Sequence, residues 1–260
     1  MTLLHIIAAT LLAGGASVVA AALLSLTLLS GVVHRLVSLS AGLLLGMAIL
    51  HLLPEAIGSG ASLRALSATL LAGLVGFFLL EKLAIFRHSH HYEGDGHEHS
   101  HGHDHHEAGP QGLLILVGDG IHNFADGVII AAAFVADIRL GWMTAFAAAA
   151  HEIPQEIGDF IVLRNAGYTR ARALAYNLLS GMAAVAGGVA GYLVLGEHAE
   201  ILPYVLMVAA ASFVYIALAD LVPDLHRQSR ARYNESGLQV TLMLIGIAVV
   251  ALLTGGAHPD

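Results

Sequence analysis

Two stretches of the chain combine histidines, amides and carboxylates at helical spacing inside otherwise apolar sequence. In the first, residues 118–127, Asp119, His122 and Asp126 occupy positions i, i+3 and i+7, which share one face of an α-helix. Asn123 lies about 100° further round the same helix. His122 and Asp126 are four residues apart, a spacing that allows an imidazole nitrogen and a carboxylate oxygen to bind one metal ion.

The second stretch, residues 151–160, carries two adjacent polar stripes. His151 and Gln155 form one stripe, four residues apart. The other stripe consists of three acids, Glu152, Glu156 and Asp159. Pro154 has no backbone N–H, so the carbonyl of Ala150 lacks its helical partner and we expect the helix to bend there. A carbonyl released beside a ligand cluster can itself coordinate a cation or a water molecule.

The composition of the whole chain is that of a membrane protein. Of its 260 residues, 57% are hydrophobic and only 12% are charged, whereas soluble domains average about 25% charged residues. Its mean hydropathy is +0.76. The chain has no cysteine, which excludes disulfides, thiolate zinc sites and thiol catalysis. The formal net charge of −8 does not favour nucleic acid as a partner.

Acids inside a membrane need a compensating partner, because a charge at the centre of a spanning helix costs at least about 2.5–3.5 kcal/mol. No Lys or Arg lies within either polar stretch. A bound cation is the simplest source of the missing charge, so we interpret the two stretches as the lining of a metal path rather than as a polar seam between helices. Imidazole, carboxylate and amide ligands without thiolates suit Zn²⁺, Fe²⁺ and Mn²⁺.

Eight segments are long and apolar enough to cross a bilayer as helices, which takes about 20 residues each. We predict an all-α polytopic membrane protein with a single transmembrane domain covering residues 1–260. The predicted spans are 3–29, 34–55, 62–86, 111–135, 141–163, 170–195, 201–223 and 237–255, and the shortest link is at 30–33. The N-terminus lacks the basic region of a signal peptide, so the first span is expected to be retained.

The positive charges are distributed unevenly between the two sides of these spans. Of the 11 Lys and Arg residues, the odd-numbered loops and their helix ends hold all but Arg64 and Arg139. The positive-inside rule therefore places the odd loops in the cytoplasm and both termini outside. We interpret the chain as a multi-pass protein of a bacterial inner (plasma) membrane.

The third loop, at about 87–110, is rich in histidine. Histidines there alternate with Gly, Ser, Asp and Glu, and the loop has no apolar period, so we expect it to be disordered and cytoplasmic. Closely spaced imidazoles bind Zn²⁺ and related ions, and the loop is suited to receive, buffer or sense metal. Its candidate ligands are His97, His99, His101, His103, His105 and His106.

One further histidine, His51, lies near the outer end of the second span. Two interpretations remain open for it. It is either a hydrogen-bonding residue of the helix core or a ligand near the entrance of the metal path.

The polar motifs resemble the signature of the ZIP (Zrt/Irt-like, zinc-iron permease) metal transporters. The residues concerned are His122-Asn-Phe-Ala-Asp-Gly127 and His151-Glu-Ile-Pro-Gln-Glu-Ile-Gly-Asp-Phe160. The resemblance extends to the eight spans, the external termini, the His-rich third loop and Tyr215-Ile-Ala-Leu-Ala-Asp220. It implies a transporter, not an enzyme, that imports Zn²⁺, and in some members Fe²⁺, Mn²⁺ or Cd²⁺, by alternating access.

The resemblance also implies residue roles. His122, Asp126 and Gln155 would hold the primary ion, while Asn123, His151 and Glu152 would hold or bridge a second. Spans 1, 4, 5 and 6 would move against spans 2, 3, 7 and 8 in a homodimer. The chain departs from the family pattern at two places: Gln155 replaces the His or Glu of many relatives, and span 6 lacks the Glu that some relatives place there for a second metal.

Two other functions fit part of the pattern. An intramembrane zinc metalloprotease would carry His-Glu-x-x-His, but Gln155 stands where the second imidazole is needed and Pro154 interrupts the motif. A metal exporter of the cation diffusion facilitator type also carries a His-rich cytoplasmic loop, although such proteins usually have six spans. Both are kept as alternatives to metal import.

Overall fold

A computed structural model describes residues 1–26, 30–89, 108–223, 225–226 and 236–254, and these form helices joined by short connections, with no strand among them. α1 comprises Thr2–Thr10, a π-helical stretch Leu11–Ala16 and Ser17–Leu26; α2 comprises Ser30–Met47, a π-helical stretch Ala48–Leu52 and Leu53–Gly58. α3 is Leu63–Ser89, α4 is Ala108–Ala136 and α5 is Ile138–Asn165. α6 comprises Arg170–Gly181 and Ala183–Glu197; α7 comprises the 3₁₀ turn Ala199–Ile201, Leu202–Tyr215 and a π-helical stretch Ile216–Leu221; α8 is Ser236–Thr254.

The helix ends lie close to the predicted loop residues, with two corrections. Residues 30–33, predicted as a link, belong to the first turn of α2, since a single glycine such as Gly31 is tolerated within a helix. Residues 87–89 and 108–110, predicted as parts of the disordered loop, extend α3 and α4. The predicted loop ligands between residues 97 and 106 lie outside the described residues.

Seven of the helical segments are long and apolar enough to cross a membrane, one in each of α1, α2, α3, α4, α6, α7 and α8. α5 is not among them because it carries Arg139 and the polar residues of 151–159 within an otherwise apolar sequence. Large apolar side chains such as Leu71 and Leu79 on α3 are at least half exposed. The described residues thus form an all-α, multi-pass membrane protein, which confirms the predicted fold class.

The helices pack in two groups: α1, α4, α5 and α6 form the first, and α2, α3, α7 and α8 form the second. In the first group α4 packs closely on both α5 and α6, and α1 packs on α5 and α6. In the second group α8 packs on α2, α3 packs on α7, and α2 also contacts α7. The groups meet where α2 lies against α5 and where α7 lies against α4. The polar stretches of α4 and α5 both belong to the first group.

Glycines allow the closest approaches within each group. A Cβ atom added to Gly127 of α4 would strike the backbone of Ala184 in α6. In the second group, a Cβ atom added to Gly42 of α2 would strike the backbone of Met243 in α8. Small residues permit such backbone contact between helices in a membrane, and the contact holds each group together by van der Waals packing.

Candidate metal site

The two polar stretches face each other because α4 and α5 form a helical hairpin. Only Asp137 separates the two helices, and its carboxylate caps α5 by accepting a hydrogen bond from the backbone N–H of Leu140 at 2.9 Å. His122 lies 15 residues before Asp137 (137 − 122) and His151 lies 14 residues after it (151 − 137). Because these separations differ by only one residue, the two histidines lie at nearly the same depth along the hairpin.

Four side chains converge at this depth and are called the four-ligand group: His122, Asp126, His151 and Glu152. The Nε2 atoms of the two histidines are 3.3 Å apart. His151 Nε2 lies 3.3 Å from Asp126 Oδ2 and 3.4 Å from Glu152 Oε1, while His122 Nε2 lies 3.5 Å from Glu152 Oε1. His122 is partly exposed, and the other three are buried.

Four of these separations are close to the distances between ligand atoms in a tetrahedral zinc site. With Zn–N and Zn–O bonds of about 2.0–2.1 Å, neighbouring ligand atoms on a tetrahedron are about 3.3–3.4 Å apart. Four of the six ligand pairs in the group are separated by 3.3–3.5 Å, and all of its ligand atoms lie within 4.8 Å of one another. The four side chains are therefore close enough together to be candidate ligands of a single metal ion.

The ring of His151 is held in a suitable orientation. Its Nδ1 atom lies 3.3 Å from the carbonyl oxygen of Ala147, one turn earlier in α5. When Nδ1 carries the proton it donates to this carbonyl, and the lone pair of Nε2 then points at the group. The ring also lies edge-on to Phe213 of α7, with ring centroids 6.3 Å apart, which limits water on that side.

A second cluster, the carboxylate group, consists of Asp119, Glu152 and Glu156. Their oxygens lie within 4.8 Å of one another, and Glu152 belongs to both groups. The exposed fractions are 7% for Asp119, 1% for Glu152 and 0% for Glu156, so all three acids are buried. Each cluster therefore combines residues of α4 with residues of α5, and the carboxylate of Glu152 belongs to both clusters.

The two amides of the motifs contact Asp119. Asn123 Nδ2 donates to Asp119 Oδ1 at 3.1 Å, and Gln155 Nε2 donates to the same oxygen at 2.9 Å. A buried carboxylate needs hydrogen-bond donors, and neither polar stretch contains a Lys or Arg to supply them. The side-chain amides of Asn123 and Gln155 are therefore oriented with their N–H groups toward Asp119. The roles of Asn123 and Gln155 as direct metal ligands remain predictions.

His51 and Asp159 belong to neither group among the described residues. His51 lies in the π-helical stretch of α2 that packs against α7. Asp159 is partly buried on α5, one turn beyond Glu156. Both remain predictions as residues of the metal path.

Two polar residues near the site were not predicted from the sequence. Ser40 of α2 donates its hydroxyl to the carbonyl oxygen of Ala150 at 2.6 Å, and so supplies the partner that Pro154 withholds. This carbonyl, expected to be available to a cation or water, already has a hydrogen bond to the other helix group. Asn177 of α6 donates to the backbone oxygen of Glu156 at 3.0 Å. No spacing pattern in the sequence links either residue to the motifs.

Comparison with known proteins identifies the family. A family model described as "ZIP Zinc transporter" matches residues 85–254, which include both polar stretches and most of the apolar helices. The chain belongs to the ZIP zinc transporter family. Members of this family are transporters, not enzymes, and membership supports the binding of divalent metal ions by an integral, multi-pass membrane protein.

Curated ZIP proteins from animals are similar to part of the chain. Zinc transporter foi of Drosophila melanogaster is 37% identical over 140 residues, 54% of this chain and 20% of that protein. Zinc transporter ZIP6 of Homo sapiens is 38% identical over 151 residues, 56% of this chain and 20% of that protein. Zinc transporter ZIP10 of Danio rerio is 40% identical over 145 residues, 54% of this chain and 17% of that protein. The chain thus matches about a fifth of the length of these relatives.

Proposed function

We propose that this chain imports divalent metal, in the first place Zn²⁺, into the cytoplasm through the four-ligand group between α4 and α5. The observation that carries the proposal is the near-tetrahedral spacing of two imidazole nitrogens and two carboxylate oxygens inside a helical hairpin. Relatives named as zinc transporters support Zn²⁺ as the substrate. Fe²⁺, Mn²⁺ and Cd²⁺ are further candidates by ligand chemistry and resemblance.

Charge supports a divalent ion in this group. Asp126 and Glu152 supply two negative charges, and neutral imidazoles supply none, so one divalent cation balances the group. Both carboxylates have buried oxygens without a hydrogen-bond partner among the described residues. A buried carboxylate without donors is costly, and a bound cation removes that cost.

The packing supports transport by alternating access. The four-ligand group belongs to α4 and α5, and therefore to the helix group that lies against α2 and α7. A shift of this helix group relative to the other, as the family resemblance implies, would open the site first to one side and then to the other. The contacts that such a shift must exchange include Ser40 on Ala150 and Phe213 on His151.

The proposal includes a topology. All eight helical segments would span a bacterial inner membrane, with both termini outside and the odd loops in the cytoplasm, as the Lys and Arg distribution favours. The loop ligands between residues 97 and 106 would then receive metal after transport. His51 would lie toward the outer end of the path and Asp159 toward the inner end, and the resemblance implies a homodimer.

The two alternatives receive no specific support from the site. A metalloprotease needs a second imidazole where Gln155 donates to Asp119. An exporter would move metal in the opposite direction, so the direction of flux separates it from the proposal.

Uptake of radioactive ⁶⁵Zn²⁺ into proteoliposomes tests the proposal. The variant His122→Ala/Asp126→Ala removes two of the four ligands and is expected to abolish uptake. The matched control is His198→Ala/Glu200→Ala, which removes another His–carboxylate pair, 3.4 Å apart and well exposed at the start of α7, and should transport normally. Uptake that survives in the first variant would show that the site is wrong, and export without uptake would overturn the direction.

A further inference from the structure

We propose that a cavity between α2, α5 and α8 binds an anionic phospholipid, with the headgroup phosphate on Arg139 and an acyl chain between the helices. The cavity has a volume of about 340 Å³, and none of its lining residues belongs to the four-ligand group or the carboxylate group. Among the described residues that line it, Arg139 alone is charged, and the others are apolar or aromatic. One cation beside an apolar wall matches a ligand with an anionic head and a hydrocarbon tail.

One face of α5 forms the first wall of this cavity. Its members occupy positions i, i+3, i+4, i+7 and i+8 of the helix, namely Arg139, Trp142, Met143, Phe146 and Ala147. The face therefore runs from a cation at the start of the helix to apolar side chains about 12 Å deeper along its axis. Trp142 and Phe146 are 37% and 57% exposed, so this wall is open to lipid.

The second helix group forms the opposite wall. Leu43 and Met47 lie one turn apart on α2 and are buried, while Val249 and Leu253 lie one turn apart on α8. Leu253 is 46% exposed, so the cavity is closed by buried residues of α2 and bordered by an exposed apolar residue of α8. Apolar walls from two helices can enclose a hydrocarbon chain that enters from the membrane.

Arg139 lies where a cation needs an anionic partner. It is the second residue of α5, and positive charge in the first turn of a helix is opposed by the helix dipole. Its side chain is exposed, and none of the ion pairs among the described residues includes it. The nearest acid in the sequence, Asp137, instead accepts a hydrogen bond from the backbone N–H of Leu140. A phosphate supplies the missing charge, and a guanidinium can bind it with two parallel hydrogen bonds.

The side of the membrane on which this cavity lies rests on the topology proposed above. Under that topology the start of α5 and the ends of α2 and α8 all face outward, so the lipid would belong to the outer leaflet. Arg139 and Arg64 are the two of the 11 Lys and Arg residues placed on that side, against the positive-inside distribution. A bound anionic headgroup gives a physical reason for Arg139, and Trp142 lies at the depth where indole rings are enriched in membrane proteins.

The cavity lies between the two helix groups, because α5 belongs to the first and α2 and α8 belong to the second. At its inner end, Ala147 carries the carbonyl oxygen that lies 3.3 Å from His151 Nδ1. A lipid in the cavity therefore contacts both groups and the helical turn that orients a ligand of the four-ligand group. If the groups shift during transport, as proposed above, the bound lipid favours the arrangement in which this cavity is open.

Native mass spectrometry of the purified, delipidated full-length protein tests the headgroup contact with phosphatidylglycerol and phosphatidylethanolamine of identical acyl chains. The unaltered protein should bind phosphatidylglycerol more tightly. Arg139→Gln should weaken phosphatidylglycerol binding by about fivefold and remove the preference, because the variant lacks the cation. The control Arg64→Gln makes the same change at the second residue of α3, an exposed arginine on the same side, and should keep the affinity. Equal weakening in both variants would overturn the site in favour of general surface charge.

Photo-crosslinking with a phosphatidylglycerol that carries a diazirine in one acyl chain locates the chain. Crosslinks should map to residues 139–147 or 249–253 and disappear in Val249→Trp, which fills the cavity and keeps Arg139. Leu253→Trp replaces this variant if it does not elute as a single folded species in size-exclusion chromatography. Crosslinks that persist in the folded variant, or that map only to other helices, overturn the site, as does a dimer whose second copy covers α8 and excludes lipid.

Both measurements use the protein in detergent without metal, so their outcome is independent of ⁶⁵Zn²⁺ uptake. Lipid binding that fails while uptake depends on His122 and Asp126 would reject the lipid site alone. Lipid binding that behaves as expected in a protein without uptake would reject the transport function alone.

Discussion

At the scale of single residues, Gln155 occupies a predicted ligand position and donates a hydrogen bond to a carboxylate. The resemblance assigns this position to the primary ion, yet its Nε2 atom lies 2.9 Å from Asp119 Oδ1. The four-ligand group contains two imidazoles and two carboxylates without Gln155, and it includes His151, which the resemblance assigns to a second ion. Gln155 thus connects α5 to α4 by stabilising the carboxylate of Asp119.

This difference predicts unequal effects of two substitutions one turn apart. Removal of a residue that supports a metal site typically lowers affinity by about 10–100-fold. Gln155→Ala should raise the apparent KM for ⁶⁵Zn²⁺ uptake by about tenfold at most, the lower end of that range, because its partner lies outside the four-ligand group. His151→Ala should raise the KM by well over 100-fold, beyond the range for a supporting residue. Equal losses in the two variants would instead make Gln155 a direct ligand.

At the scale of helices, Pro154 and Ser40 act as a pair across the two helix groups. The proline leaves the carbonyl of Ala150 without its N–H partner inside α5, and the hydroxyl of Ser40 donates to that oxygen. Ser40 is 1% exposed, so water cannot easily replace the hydroxyl. The proline that interrupts α5 therefore creates a polar contact between α5 and α2, next to His151 of the four-ligand group.

A double-mutant cycle tests this pair. Ser40→Ala should lower the free energy of unfolding by about 1–3 kcal/mol, because it leaves a buried acceptor unsatisfied. In a Pro154→Ala background the new backbone N–H can bond Ala150, so the same serine substitution should cost less than about 1 kcal/mol. Unfolding of the four proteins in detergent, followed by tryptophan fluorescence, measures the coupling. Equal costs of Ser40→Ala in both backgrounds would contradict the pairing.

At the scale of the whole molecule, the packing divides the helices into two groups, each joined internally by glycine-mediated backbone contacts. The polar stretches lie in one group and face each other, and they touch the other group where Ser40 contacts Ala150 and Phe213 contacts His151. Such an arrangement allows one group to move as a unit, because the tight contacts lie within the groups. The Lys and Arg distribution predicts which side of the membrane each loop faces, and this prediction can be tested directly.

The absence of cysteine makes single-cysteine labelling a clean test of topology. Arg170→Cys lies in an odd connection and Glu200→Cys in an even one, and both positions are exposed. In intact cells a membrane-impermeant maleimide should label Glu200→Cys, and should label Arg170→Cys only after the cells are permeabilised. The reverse pattern would place the termini inside and would reverse the proposed direction of transport through the site.

The sequence alone was sufficient for the local features of this protein. Apolar length located the helices to within a few residues, and the spacing of His122 and Asp126 placed them on one face. These features depend on helical periodicity and rise, which are properties of a local stretch of chain.

Only the tertiary structure decided which polar groups meet across helices. The rotation of each helix about its axis, set by the packing of glycines and apolar side chains, brings Glu152 into both groups and turns Gln155 toward Asp119. The same packing places Ser40 on Ala150 and Asn177 on Glu156, over separations of 110 and 21 residues. Such contacts depend on interhelical geometry, which a repeat of 3.6 residues within one helix does not determine.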